Sequence, residues 1–412
     1  MLSNITSLIQ KYDAKMWVMI NDDESDKIFT RYFSGDLFSR TICFVTKTNI
    51  YLIVCSLDAD NLYSGIFSNK EQSRKIVKYY VYNNAQEMDR YIEEIIAQNK
   101  FPKEISLSYS TMSDNNTDIL THGAYIYLTS LLKKPYKKYE KKVKFVSAEN
   151  IIYELASKKT ESQVERLKIL ANITEEILKE SFKRIKVGDT EREISLLTNN
   201  IMNDKMRKIV SKKLYNIVDF DVAWDNCPIV LTGENLAKGG HSLPSDKKLK
   251  CGDTIYFDFG IKATFSDEMV LYTDMQRMGY ALKKNEFSPP KQVMKVFNTL
   301  VNSISDGIDE MRPGVKAYKV DKVVRDEIIK AGYPEYNHAT GHPVGKEVHD
   351  IGAIISIKKS KLANLELIEN GVYTLEPRVN ISNGGSIEEM IQVTKYGGVP
   401  LTHLQNEIYL VK

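Results

Sequence analysis

The 412 residues are enough for two or three domains, and at 42% hydrophobic and 27% charged they are too apolar for a disordered chain. Lys and Arg number 57 against 54 Asp and Glu, a formal net charge of +3, so overall charge marks neither a nucleic-acid binder nor a binder of acidic substrates. The four cysteines, at 43, 55, 227 and 251, form no Cys-x-x-Cys pair, which argues against zinc ribbons and thioredoxin-like chemistry and makes reduced thiols the expectation.

In chain order, the opening MLSNITSLIQKYDAK is broken by polar and charged residues and has no apolar stretch of the kind a signal peptide needs. No apolar run is long enough for a membrane span. The expectation is a cytoplasmic protein with no membrane or nucleic-acid partner. Segments 15–20, 42–46, 49–56, 78–82 and 104–109 are short, rich in Val, Ile, Tyr and Phe, and read as strands. Residues 85–99 place Met88, Ile92, Ile95 and Ile96 on one face of a helix. The first third therefore reads as α/β. Its only histidine is His122, and it shows no catalytic constellation. Residues 133–144 (KKPYKKYEKKVK) carry seven lysines and two tyrosines. A phosphate- or membrane-binding patch is one reading; a solvated segment near a domain boundary is the expected one, since a short charge run is usually surface.

A second domain opens near residue 150. Thr160 and Gln163 form a capping box, followed by a helix with Val164, Leu167, Leu170, Ala171, Ile177, Leu178 and Phe182 on its core face. Gly188 interrupts, and Thr190 with Glu193 caps another helix. The segment IKVGDTEREI (185–194) resembles MRPGVKAYKV (311–320), pairing Gly188 with Gly314 and Ile194 with Val320. This repeat suggests two related halves, with a ligand site between them.

The chemistry-bearing residues cluster in the last third. Asp258 lies inside the apolar strand TIYFDFG, where a carboxylate is costly to bury without a partner such as a metal. Asp274 and Arg277 interrupt another apolar stretch, LYTDMQRMGY, readable as the neighbouring strand of a hairpin. NHATGHPVGKEVHD places His338, His342 and His349 close together, with Gly341 and Gly345 allowing close backbone approach. Glu376 ends the strand VYTLEPRV, and Glu388 starts SIEEMIQVT. Any one of these acids or histidines is ordinary on its own. Together, two Asp, two Glu and one to three His give more negative charge than one divalent ion needs, and they suit two. Hard oxygen donors favour manganese, iron or cobalt over a sulfur-rich zinc site. Two ions sharing a water activate it for attack on a carbonyl, and a nearby histidine moves the remaining proton.

At these residues the sequence resembles the pita-bread (M24) metallopeptidases: methionine aminopeptidase, aminopeptidase P and prolidase. The resemblance covers roughly residues 150–412. Residues 1–150 look like the N-terminal domain shared by aminopeptidase P, prolidase and creatinase, which favours the Xaa-Pro branch. The fold implied is an α/β N-terminal domain, 1–150, plus an α+β pita-bread catalytic domain, 151–412, with a pseudo-two-fold repeat. The family's ligand order, Asp, Asp, His, Glu, Glu, falls on Asp258 in Asp-Phe-Gly, Asp274, His342 in His-Ala-Thr-Gly-His-Pro, Glu376 in Leu-Glu-Pro, and Glu388 in Ile-Glu-Glu. Asp274 is preferred over Asp267 because Arg277 completes the family's Asp-x-x-Arg. Its greater distance from Asp258 implies an insertion at the hairpin tip, with Asp267 in the turn. The resemblance further implies roles for three histidines. His241, in GGHSLPSD, binds substrate or donates a proton; His338 lines the substrate pocket; His349, in Val-His-Asp, sits near the scissile carbonyl. It also implies two divalent ions, manganese first with cobalt, iron or zinc as alternatives, a peptide substrate and a homodimer. The activity implied is Xaa-Pro aminopeptidase, with prolidase and a non-catalytic binding or chaperone module as alternatives. The sequence departs from the family at Ser386, where proline-directed members often carry Arg, at Gly240, the usual Pro before His241, and at Pro343, the usual Gly after His342. These departures bear on proline preference and leave every ligand position intact.

Overall fold

The short β-branched and aromatic runs of the first unit become strands in a computed structural model that describes residues 2–23, 25–33, 37–67, 75–238 and 242–412. The chain divides into two compact units, Met1–Leu155 and Ala156–Lys412. In the first, β1 (Trp17–Asn21), β2 (Thr41–Val45), β3 (Ile50–Cys55), β4 (Val77–Tyr82), β5 (Glu104–Leu107) and β6 (Lys144–Ser147) form one sheet in the order β4-β3-β2-β1-β5-β6. The pairs β1–β2 and β2–β3 are antiparallel; β1–β5, β5–β6 and β3–β4 are parallel. β1 and β2 are buried along their whole length, as their unbroken apolar runs require of central strands covered on both faces. Helix Ala85–Gln98 lays Met88, Ile92, Ile95 and Ile96 into the core against Val18, Phe44 and Ile53. All four cysteines are free thiols.

The lysine-rich stretch becomes the last turns of helix His122–Lys138, a short link and β6. Five of its seven lysines lie against nearby acids or rings. Lys134 pairs with Asp89 at 2.7 Å, Lys138 with Glu93 and Lys144 with Glu104 at 3.2 Å, while Lys141 lies over the Phe101 ring at 4.1 Å. Exposed pairs of this kind are worth about 0–1 kcal/mol each, so they describe a surface more than a stabilising device. The strand β6 escapes sequence reading because the lysines around it mask its short apolar content.

The second unit opens with two capped helices. Both expected capping boxes are present, Thr160–Gln163 ahead of helix Glu161–Arg184 and Thr190–Glu193 ahead of helix Glu191–Ser211. These helices pack Leu167, Leu170, Ile177, Phe182 and Ile194 on the strand residues Ile255, Phe257 and Phe259. Each such side chain contributes about 1.5–3 kcal/mol when fully buried. The strands are β7 (Ile217–Val222), β8 (Ile229–Thr232), β9 (Thr254–Phe259), β10 (Ile261–Phe265), β11 (Val270–Tyr272) and β12 (Met275–Ala281). Next come helices Lys291–Glu310 and Ala317–Lys330, packed by Phe297, Leu300, Val320 and Val324 on a second set of strands. These are β13 (Val372–Leu375), β14 (Arg378–Val379), β15 (Gly385–Ser386), β16 (Glu389–Thr394) and β17 (Gly397–Pro400), while β18 (Tyr409–Val411) returns to the first set beside β12. Sheet orders are β18-β12-β9-β8, β11-β10-β7, β13-β16-β17 and β14-β15.

The two halves repeat one another in hydrogen-bond detail. Gly188 N donates to Leu249 O at 2.9 Å and Leu249 N to Asp189 O at 2.8 Å; Gly314 N donates to Leu367 O at 3.0 Å and Leu367 N to Val315 O at 2.8 Å. Both glycines hold positive φ, 104° and 82°, a conformation that disfavours a side chain. Ile194 and Val320 are fully buried at matching places. The equivalence suggested by one short sequence match thus extends over a helix pair and the strand pair behind it: β9 with β12 in one half, β13 with β16 in the other, both antiparallel. Among the described residues, no helix is long and apolar enough to cross a membrane.

Candidate metal centre

Each half contributes one carboxylate near the end of its first strand and one at the start of the partner strand. Asp258 is the penultimate residue of β9 and Asp274 immediately precedes β12; Glu376 immediately follows β13 and Glu388 immediately precedes β16. The antiparallel register sets Asp258 opposite Gln276, and an isolated bridge joins Gln276 to Glu388, stitching the two halves together. His342 comes from a segment that runs beside β13. Thr374 N donates to His342 O at 2.8 Å and Glu376 N to Thr340 O at 2.7 Å. Gly341 allows this approach, since a Cβ there would lie 1.9 Å from Thr374 O.

The five residues expected as ligands converge. His342 Nε2 lies 3.5 Å from Asp274 Oδ2, 3.9 Å from Glu376 Oε1 and 3.8 Å from Glu388 Oε1. One atom each of Asp258, Asp274 and Glu388 fall within 4.8 Å of one another, as do one each of His342, Glu376 and Glu388. Asp274, His342 and His349 form a third such group. Asp267 is elsewhere, in the turn between β10 and β11, paired with Arg166 at 2.7 Å.

The electrostatics of this cluster are those of a site built for cations. Asp258 Oδ1, Asp274 Oδ1 and both oxygens of Glu388 are buried without a hydrogen-bond partner, and such groups carry a desolvation cost unless something coordinates them. Burial pushes Asp274 up to about 7 and Glu376 up to about 8. Burial also drives Asp258 and Glu388 well above the ordinary carboxylate range, and the charge of Asp274 adds to the rise. A bound divalent ion would take the place of those protons. Four hard oxygen donors and one imidazole fit divalent ions of the manganese, iron or cobalt type.

Neighbouring groups hold the carboxylates in place. Tyr256 OH donates to Asp258 Oδ2 at 2.8 Å, and Gln276 Nε2 donates to Glu376 Oε2 at 3.1 Å. Arg277 is fully buried and reaches four acceptors: Glu175 at 2.6 Å, Glu389 at 3.1 Å, and the carbonyls of Gln276 at 2.9 Å and Glu388 at 2.8 Å. Thr273, the residue before Asp274, is tied to the long helix, where the Thr174 and Thr273 hydroxyls lie 2.8 Å apart. Sequence reading passed over Tyr256 and Gln276, although each lies two residues from an expected ligand and so on the same strand face.

The remaining histidines divide. The His349 ring meets that of His342 edge to face at 4.3 Å between centroids. His338 stacks on Tyr336 at 4.7 Å, and its carbonyl accepts from Arg325 Nη2 at 3.1 Å. His241 and Gly240 lie outside the described residues. Of the departure positions, Ser386 is buried opposite Arg378 in the β14–β15 pair, and Pro343 bridges Tyr373.

Residues 165–395, more than half of the chain, match the model of metallopeptidase family M24. The chain belongs to this family. An uncharacterized peptidase of Staphylococcus haemolyticus is 30% identical to this M24 chain over 256 residues, 61% of the chain and 64% of the relative. The matched segment therefore spans just under two thirds of that relative. Solved structures share the fold over nearly the full length. They include an X-Pro aminopeptidase from Thermotoga maritima (23% identity, 98% of this chain and 100% of that one, TM-score 0.65). A prolidase from Pyrococcus horikoshii (22%, 99% and 99%, 0.64) and a dipeptidase from Mycobacterium ulcerans (19%, 100% and 96%, 0.71) are also similar. The M24 chain thus has the pita-bread fold with an additional α/β unit ahead of it.

Proposed function

We propose that the chain is a metal-dependent exopeptidase acting at Xaa-Pro bonds, with Asp258, Asp274, His342, Glu376 and Glu388 holding two divalent ions, manganese first among them. The observation that carries this reading is the set of buried carboxylate oxygens without hydrogen-bond partners, gathered from both halves around one imidazole. A non-catalytic binding module has no use for four such carboxylates, whose burial is costly without cations. When bound, the ions supply an activated water and a polarised carbonyl. The protein's part is to present its carboxylates ionised, to keep them oriented through Tyr256, Gln276 and Arg277, and to move protons. His349, beside His342 at the exposed side of the cluster, is the proposed group facing the scissile carbonyl, where a donor stabilises developing negative charge. His338 is the proposed pocket wall and His241 a proposed proton donor or substrate contact.

The N-terminal unit corresponds in this reading to the domain shared by aminopeptidase P, prolidase and creatinase, with residues 1–150 as its extent and 151–412 as the catalytic part. A peptide substrate, a cytoplasmic location and a homodimer complete the proposal. Aminopeptidase P-like action is the first choice; prolidase is the near alternative, and likenesses to solved proteins of both kinds support the pair. Hydrolysis of an Xaa-Pro dipeptide and of an Xaa-Pro-Xaa peptide by manganese-reconstituted protein decides between them, with Glu388→Ala as control. Cleavage of the longer peptide, lost in the control, is the expected result. Dipeptide-only cleavage moves the assignment to prolidase, and no cleavage of either despite bound metal rejects Xaa-Pro specificity.

A further inference from the structure

A buried ion pair lies under the loop that carries both His342 and His349. Lys159 Nζ and Asp350 Oδ2 are 3.0 Å apart, with side chains 2% and 1% exposed. Lys159 also donates to Ala156 O at 3.1 Å and Ser157 O at 3.3 Å. The Asp350 carboxylate further accepts from Lys346 N at 3.1 Å and Ile351 N at 2.8 Å. Both charges are thus paired and hydrogen-bonded, the condition under which a buried pair is tolerated.

The loop closes around this pair. Asp350 N donates to Pro343 O at 2.8 Å, joining the residue after His342 to the residue after His349. Tyr272 N donates to Gly345 O at 2.8 Å, tying the same loop to the strand that leads into Asp274. Gly345 packs directly on the pair: a Cβ there would lie 2.4 Å from Lys159 Cε and 2.9 Å from Asp350 Oδ2. At the far end Ser157 Oγ donates to Ile351 O at 3.2 Å. His349 is an exposed residue outside any strand or helix, and the hydrogen bonds that close the loop hold its backbone where the two imidazoles meet edge to face.

We propose that Lys159 and Asp350 are positioning residues that set His349, and through the loop His342, against the ligand carboxylates. The inference rests on the reading of this site as a metallopeptidase centre. Lys159 touches neither substrate nor metal; it acts by fixing a loop whose displacement by about 1 Å is enough to lower turnover by about a hundredfold. An alternative role, pure stability, makes a different prediction. Replacing both partners of a buried pair with neutral groups restores stability that removing one partner destroys, but it does not restore a directed clamp.

The test uses the full-length chain loaded with manganese. Lys159→Met alone is expected to lower the melting temperature sharply. The double variant Lys159→Met/Asp350→Asn is expected to recover part of that loss, since it leaves no buried charge unpaired and Asn keeps an acceptor for Ile351 N, though its NH2 replaces the oxygen that accepts from Lys346 N. Its kcat is expected to fall by about ten- to a hundredfold with KM within about twofold of wild type. Amide exchange over residues 342–352 is expected to quicken at least about tenfold in the same variant while the helices exchange as in wild type. Gly345→Ala, which pushes on the pair without removing either charge, is expected to show the same kcat loss and local exchange, and it stands in if the double variant does not fold. A double variant with wild-type kcat, or one that loses kcat without faster exchange in the loop, overturns the proposal. A wild-type protein that cleaves no peptide instead rejects the proposed function, and the exchange measurement then decides the clamp by itself.

Discussion

At the scale of single residues, the site separates groups that chemistry advertises in a sequence from groups that only geometry reveals. A carboxylate inside an apolar strand is conspicuous, so Asp258, Asp274, Glu376 and Glu388 could be singled out in the sequence as candidates, as could His342 beside Gly341, and the structure brings the five side chains together. Tyr256 could not be singled out: a tyrosine in a strand normally fills a core, and nothing in its type says that its hydroxyl turns to Asp258 at 2.8 Å. Tyr256→Phe is expected to leave the fold intact and to weaken manganese binding by about ten- to a hundredfold, the usual cost of losing a partner behind a metal ligand. A titration calorimetry measurement checks this, and unchanged affinity would show that Asp258 needs no such donor. Lys159 and Asp350 were equally invisible, because a lysine beside Ser157 and an aspartate after His349 look like surface until their burial is known.

Among elements, the lesson is how two helices and two strand pairs place the acids. Helix Glu161–Arg184 reaches the site through Thr174 and Glu175, and the second of these meets Arg277, which ties β12 to the start of β16. Arg277→Met leaves Glu389 buried with no cation beside it, while Glu175 keeps Lys179 at 3.2 Å. The expected cost is about 3–5 kcal/mol, read as a lower midpoint in urea unfolding of the metal-free protein. A change under about 1 kcal/mol would mean that the strand pairing holds β12 and β16 without it. The capping boxes and the apolar stripes of these helices were readable from side-chain type and spacing alone. The β10–β11 excursion between β9 and β12 was less so. Its existence followed only from the distance between Asp258 and Asp274, because residues in such turns are chosen by local conformation and solvent rather than by a periodic pattern.

For the whole molecule, proton and metal balance govern stability together. The buried carboxylates have folded values above their ordinary 3.8 and 4.5, with Asp274 at about 7 and Glu376 at about 8. Between about pH 4 and 8 the metal-free folded state therefore holds more protons than the unfolded chain. The stabilisation that these protons give is complete below the unfolded values and is lost as the pH rises through 7 and 8. Metal binding displaces the same protons and so strengthens with pH. The gap in melting temperature between manganese-loaded and EDTA-treated protein is expected to widen from pH 5.5 to pH 8. A gap that stays constant or narrows would show that the carboxylates are already ionised in the metal-free state.

The doubled architecture has a consequence for how the centre would fill. Each half supplies only two of the four acids, one from each strand at the same end of an antiparallel pair, so neither half alone holds the complete cluster. Two identical halves meeting across a symmetry axis through the cluster would offer two interchangeable ion positions. This chain departs from that symmetry at His342, which has no histidine counterpart among the β8 residues Ile229–Thr232 beside β9. A centre drawn from two similar halves but with an imidazole from only one of them has a left and a right, and the two ions proposed for it should fill in order rather than at once.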